Sequence, residues 1–549
     1  MTVVRRPVDA GSGGGGRLGR ILGGIMARDR LVLVSLLALA AAARLPFLGG
    51  RGTWDADQGH DMLVLRALTT DGVLPLLGPP TSIGDFHHGA LYYYLLAPAA
   101  YLSGADPGAV VGAIALAGIA AVGVVWWLAR SIGGPVAGPL AGLVAGGLMA
   151  VSPAAIETST FIWNPNLIPL AASIALASAW RAMSGGRAAW WTASIAAGGV
   201  VMQLHVLGVV LLPALLAALL ADARAAAARE PGGGRGRLLA ALAGLAIVAL
   251  SYLPLIVHEL TTGWSETVRV LDYLSGAGSA GEADLDPVQR LLFTTLRVIG
   301  WPLVGLITDV PLPGVAAVSA AVALLVWRLR AAVGPERRAM RWLGATLGWC
   351  VAALSVLAPS LSTVVAGLPN DHYHAFLDPI VLVTVGLGGA ALFVGVADSA
   401  GPRLADRSAR VVVAIALLAL VAFDVGRWPP ATAGGGGWPA ARGAGERILA
   451  VADGRSIGLS GLPLFKTTEG VEFPLRHLGG IVGDAATAEV LVIVCDRLFE
   501  RIIQADCGGP AEMRLAAASG RFPAGTELVP VSRFDLSSRT SISIYVPPR

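Results

Sequence analysis

The sequence predicts a polytopic α-helical membrane protein with a small α/β domain after its last membrane span. Three observations predict it. Hydrophobic residues make up 55% of the 549 residues and charged residues only 14%, and the mean hydropathy is +0.69, far from the values of a soluble domain of this length. The apolar residues fall in runs that approach the roughly 20 residues a bilayer span requires, with arginines clustered between alternate runs. After Arg427 the chain turns to ordinary charge content with strand-like alternation. The net charge of +4 therefore reflects topology, since basic residues stay on the cytoplasmic side, rather than nucleic-acid binding.

Each element follows from local signals. Residues 1–30 carry Arg5, Arg6, Arg17, Arg20, Arg28 and Arg30 and read as a cytoplasmic tail. The apolar stretch after them lacks a small-residue cleavage site, so it reads as a retained first span, 31–48, and not a removed signal peptide. Residues 49–106 then form the first outer loop. Within it, 57–71 mixes Met62, Leu63, Leu65 and Leu68 with charges at helical spacing, which suits an interfacial helix. The apolar, aromatic stretch 89–103 is short and reads as a second interfacial or half-inserted helix.

Further spans are predicted at 108–129, 135–153, 167–182, 188–204, 206–221, 238–257, 314–327, 343–361, 376–396 and 411–425, about eleven in all with the first. Between alternate pairs lie Arg130; Arg181 and Arg187; Arg224, Arg229, Arg235 and Arg237; Arg328, Arg330, Arg337, Arg338 and Arg341; and Arg403, Arg407 and Arg410. All fall on the cytoplasmic side, with the N-terminus inside and the C-terminus outside. The segment 288–308 is apolar but interrupted by Arg290, Arg297 and Pro302; it is assigned to the outer face as an interfacial or re-entrant piece. The transmembrane unit thus covers 31–426 and an extracytoplasmic α/β domain 427–549. In that domain 489–495, 527–532 and 541–546 read as strands, with helical patterns near Glu446 and at 498–505. Of three cysteines, Cys350 lies in an apolar run, while Cys495 and Cys507 can pair if their region is extracytoplasmic.

The polar residues that need explaining sit in the outer loops. These are Asp55, Asp57, His60, Asp61, Asp85, His87 and His88 in the first, Glu157 and Asn164 in the second, His205 at a hairpin tip, His258 and Glu259, then Asn370, Asp371, His372 and His374. Of the eight histidines, all but His477 fall at the predicted outer face. A carboxylate can take the proton of an acceptor hydroxyl as it attacks a sugar carbon. Imidazoles, arginines or a divalent cation can meet the charge that develops on an anionic leaving group. Structural readings compete with these. The carboxylates can be solvated loop charges, His87 and His88 can be interfacial residues beside Tyr92, Tyr93, Tyr94 and Tyr101, and His205 can be a hairpin cap. Asp57 and His60 are the candidate cation ligands, on a pattern too short to define a metal site.

Taken together, these stretches resemble the C-type (GT-C) membrane glycosyltransferases. Within them, the resemblance is to the protein O-mannosyltransferase, lipid A aminoarabinose transferase and rhizobial lipopolysaccharide sugar transferase group. That group has an Asp-Glu pair after the first span, and here Asp57-Gln58 stands at the pair. Its Lys-Pro-Pro-Leu-Tyr-like stretch corresponds to His88-Gly89-Ala90-Leu91-Tyr92, and its second-loop motif to the stretch from Glu157 to Asn166, with Asn164 where an Asp is usual. His205 stands where many relatives have Lys, and His372-Tyr373-His374 with Pro379 resembles the family's late Tyr and Pro. The resemblance covers about residues 30–400.

It implies inverting transfer of a sugar from a polyprenyl-phosphate donor to a cell-envelope glycan, lipid or protein, at the outer face of a bacterial cytoplasmic membrane. Asp57, with Asp55 beside it, is then the base or the group orienting the acceptor. His87, His88, His205, His372 and Tyr373, together with Glu157 and Asn164, bind substrate. Two other functions compete. A transporter or flippase places ionisable residues in mid-membrane, whereas these spans are nearly free of charge. An O-antigen-type polymerase or ligase carries its large catalytic loop late in the chain, whereas here the carboxylate loop follows the first span. The terminal domain alone does not explain the chain either, because so many spans are more than an anchor needs.

Overall fold

The computed structural model describes residues 14–81, 85–277, 285–362, 370–394, 404–464, 468–519, 522 and 528–546. Every predicted span falls on a helix. Seven helical segments have the length and hydropathy to cross a membrane: Pro107–Ile132, Gly134–Val151, Val206–Ala227, Gly233–Ser251, Pro311–Ala331, Gly334–Leu357 and Asp371–Val394. The other four predicted spans coincide with Gly14–Arg44, Ile168–Met183, Trp190–Leu204 and Leu404–Val425. The first span ends at Arg44, ahead of its predicted limit, because Leu45 precedes Pro46 and the residue before a proline avoids helical geometry. The predicted span 238–257 is likewise divided: Gly233–Ser251 stops, and Pro254 opens a separate helix, Leu253–Thr262.

In the first loop, Ala56–Arg66 forms a helix continued by a π-turn over Ala67–Asp71, close to the predicted interfacial element. Leu91–Ser103, with only 13 residues, is too short to cross a bilayer. The segment predicted to lie at the outer face is a helix, Pro287–Val304. It is exposed at Val288 and Leu292 and buried from Arg297 onward.

The terminal unit is a five-stranded sheet in the order β2-β1-β3-β5-β4. Its strands are β1 Ile457–Leu462, β2 Val482–Gly483, β3 Val490–Asp496, β4 Ser532–Asp535 and β5 Thr540–Tyr545. Strand β1 pairs in parallel with β2 and β3, and β5 runs antiparallel to β3 and β4. Strands β3 and β5 lie where alternation placed them. Strand β4 falls after the predicted 527–532, and 498–505 holds only single turns. Strand β1, whose Ile-Gly-Leu-Ser-Gly-Leu sequence has weak strand propensity, is formed by its neighbours on both sides. Cys495 and Cys507 are joined in a disulfide.

The sheet unit is seated on the first loop and does not hang from a linker. Its helix Glu469–His477 packs against Ala56–Arg66, and Phe473 belongs to the same continuous core as the membrane helices.

Candidate active site

The cavity that gathers most of the predicted residues has a volume of about 410 Å³. It is lined by Asp57, His60, Asp61, Pro79, Pro80, Thr81, His88, Trp163, Asn164, Pro165, His205, His372 and Glu469. One wall is acidic. The Asp55 carboxylate caps Ala56–Arg66 by accepting from the Ala56 amide at 2.7 Å, and Gln58 Oε1 accepts from the Asp55 amide at 2.8 Å. This capping box fixes the first turn, which presents Asp57. Asp61 lies one helical turn further on, on the same face. It is buried and accepts from the Tyr92 and Tyr93 hydroxyls, each at 2.9 Å. Burial raises its pKa to about 7, although both tyrosines favour the carboxylate. His60 Nδ1 lies 2.8 Å from Glu469 Oε1, and that contact raises the imidazole pKa.

The opposite wall is made of rings. His88 and His205 have centroids 5.1 Å apart, His205 and His372 5.4 Å, and Trp163 lies 4.2 Å from His372. His205 Nδ1 accepts from the Leu207 amide at 3.3 Å, which leaves the ring proton on Nε2. Burial is the main cause that lowers the His88 pKa to about 3 and holds that of His205 well below the usual imidazole value. Nδ1 of His88 and of His372 is buried with no hydrogen-bond partner among the described residues. Such atoms are costly unless a ligand or water meets them.

A buried ion pair holds this wall. Arg297 reaches Asp371 through Nε at 2.9 Å and Nη2 at 2.5 Å, and donates from Nη1 to the Leu361 carbonyl at 2.9 Å. His374 Nε2 lies 3.1 Å from the same carboxylate. The turn between Asp371 and His374, which carries His372 and Tyr373, is thereby fixed. Arg297, which breaks the apolar pattern of its segment, has this positioning role.

Four predicted residues stand elsewhere. Asp55 is the helix cap and lies 3.8 Å from Arg539. His87 precedes His88 in an extended stretch that bridges Pro80, so its side chain turns the other way. Its backbone amide donates to Glu266 at 2.7 Å, and its Nδ1 lies 3.1 Å from the same oxygen. Tyr373 backs the cavity, 4.8 Å from the His205 ring, and Glu157 is exposed at the end of Pro153–Glu157.

Two amides occupy positions where the resembling family carries carboxylates, and both are donors. Gln58 Nε2 donates to the Ile162 carbonyl at 3.0 Å and Asn164 Nδ2 to the Leu204 carbonyl at 2.5 Å. A carboxylate can make neither bond. No group of three or more His, Cys, Asp or Glu arranged to hold a metal ion occurs among the described residues.

Residues 87–253 match the family model of dolichyl-phosphate-mannose-protein mannosyltransferases. The structure is similar to ArnT from Cupriavidus metallidurans bound to undecaprenyl phosphate, with a TM-score of 0.58 and 15% identity over 94% of this chain and 97% of that one. For apo ArnT of the same organism the TM-score is 0.55 at 15% identity, over 96% and 100% of the two chains. The Archaeoglobus fulgidus oligosaccharyltransferase aligns with a TM-score of 0.45 and 13% identity, over 86% of this chain and 69% of that one. No curated protein gives a significant sequence match. The chain has the GT-C glycosyltransferase fold, with a small terminal sheet.

Proposed function

We propose that this membrane protein transfers a sugar from a polyprenyl-phosphate donor to an acceptor at the outer face of a cytoplasmic membrane, with inversion at the sugar carbon. The observation that carries the reading is the two-sided cavity. Asp57 faces a set of imidazoles across one space, and the fold around it is one that in ArnT holds undecaprenyl phosphate. The acceptor oxygen attacks the anomeric carbon while its proton passes to the Asp57 carboxylate. The bond between that carbon and the phosphate oxygen breaks, and the electron pair leaves with the lipid phosphate. The Nε2–H of His205, together with His88 and His372, meets the charge that develops there. The neutral, buried imidazoles gain a counter-ion only when the phosphate arrives, so donor binding recruits protons to this wall. The disulfide between Cys495 and Cys507 supports an oxidising compartment for the sheet domain and hence an outward-facing cavity.

The test is transfer of radiolabelled sugar from a panel of polyprenyl-phosphate hexoses and pentoses, by membranes holding equal amounts of wild type or Asp57→Asn. Transfer by the wild type and its loss in the variant is the expected result. Equal turnover moves the base away from Asp57. Silence of the wild type with every donor would instead favour a transporter of lipid-linked sugars.

A further inference from the structure

Glu469 belongs to the sheet domain, more than 400 residues from the loop helix, yet it lines the cavity beside Asp57 and Asp61. Its placement is built from both sides. Trp54 Nε1 donates to the Gly470 carbonyl at 2.8 Å, and the Trp54 ring lies 4.6 Å from Trp438 and 5.8 Å from Phe473. The two helices meet backbone to backbone: a Cβ on Gly59 would stand 2.2 Å from the Glu469 carbonyl oxygen, so only glycine permits the approach. The Glu469 carboxylate is then aimed at His60 Nδ1, 2.8 Å away. Across the same cavity the His88 ring, only 6% exposed, keeps an unpartnered Nδ1. The space between the two walls therefore has polar valences at both ends.

Resting on the proposed transfer reaction, we infer that Glu469, braced by His60, is the specificity residue on the acceptor side of the cavity, and that the sheet domain is thereby part of the catalytic unit. The carboxylates of Asp57 and Glu469 accept hydrogen bonds and repel anions. The acceptor end that enters is accordingly a neutral, hydroxyl-bearing group such as an uncharged sugar, and a phosphorylated one is turned away. The donor phosphate has its place on the imidazole wall.

The experiment uses the full chain in proteoliposomes, labelled donors from the panel, and an envelope extract from cells lacking this protein as acceptor. Methyl glycosides and sugar 1-phosphates serve as competitors. Glu469→Gln keeps the shape and loses the charge. Its apparent KM for the extract rises roughly ten- to a hundredfold, while Kd for undecaprenyl phosphate and Tm stay at the wild-type values. Methyl glycosides compete with wild type, sugar phosphates compete only with the variant, and Glu469→Asp recovers part of the lost selectivity. An unchanged KM for the extract overturns the inference. So does a parallel loss of lipid-phosphate affinity, Tm and transfer, which would mark Glu469 as a structural contact. Wild-type silence with every donor is a separate pattern, and it overturns the transfer reaction and this inference together.

Discussion

The two walls of the cavity handle charge in opposite ways. The acidic wall is assembled from helix faces. Asp57 and Asp61 are one turn apart on Ala56–Arg66, and Glu469 comes from a helix docked across it. Its carboxylates stand beside groups that can share a proton, His60 and the two tyrosines. The imidazole wall is assembled from turns, at His88, His205 and His372. It is buried, and burial holds its His88 and His205 rings neutral. A base must be charged before the reaction and a phosphate site need be charged only during it. In the proposed reaction that difference lies between Asp57, which is exposed, and His88 and His205, which are buried; Asp61, on the acidic wall, is itself buried.

The largest effect is expected at the acidic wall. Asp57→Asn should lower transfer by about 10²–10⁴-fold, the usual weight of a positioned general base, with unchanged affinity for undecaprenyl phosphate. Next comes the support of the other wall. Arg297→Met leaves the Asp371 carboxylate buried without its bidentate partner, and should cost about 3–5 kcal/mol of stability, read as a lowered Tm in detergent. His205→Ala should reduce turnover about 10²–10³-fold by removing one donor to the leaving phosphate. It should also weaken undecaprenyl phosphate binding, which Asp57→Asn does not.

Restoring the carboxylate usual in the family sharpens the contrast from another side. Asn164→Asp replaces a donor to the Leu204 carbonyl by a second acceptor and should destabilise by about 1–3 kcal/mol, read as a lowered Tm in detergent. The smallest effect is with pH. Because His88 and His205 titrate below the usual imidazole range when the cavity is free, and higher with a phosphate in it, binding takes up protons. Affinity for undecaprenyl phosphate should therefore rise as pH falls from about 7, by at most about tenfold per pH unit for each imidazole coupled to binding. Stability runs the other way. The unfolded chain binds more protons than the buried rings below the ordinary His pKa of about 6.5, so the free protein loses stability as pH falls from there toward 3.

How much of this was legible depended on the scale of the signal. The helical spans could be read because bilayer length is a property of whole segments. Asp57, His88, Asn164, His205 and His372 could be read because polar residues in so apolar a chain cluster at one face. Their neighbours were harder. His87 and His88 are equivalent in composition, and only the extended backbone decides which of them lines the cavity. Asp55 and Asp57 differ only in that one is a cap and the other lies inside the helix. Asp61 resembled a solvated charge because nothing local announces the two tyrosines thirty residues later. Glu469 had no local signal at all. Its helix contains Pro474, and its contacts are with residues of the first loop. Arg297 was visible only as a flaw in an apolar pattern, and the reason for it lies in Asp371, on another segment.

The measurement that tests the division of labour most directly is a pair of assays on the same three proteins: binding of undecaprenyl phosphate and transfer of labelled sugar, for wild type, Asp57→Asn and His88→Ala/His205→Ala. The account predicts that Asp57→Asn binds the lipid phosphate like wild type and does not transfer, while the double histidine variant loses both. Loss of lipid phosphate binding in Asp57→Asn, or its retention in the histidine variant, would contradict it.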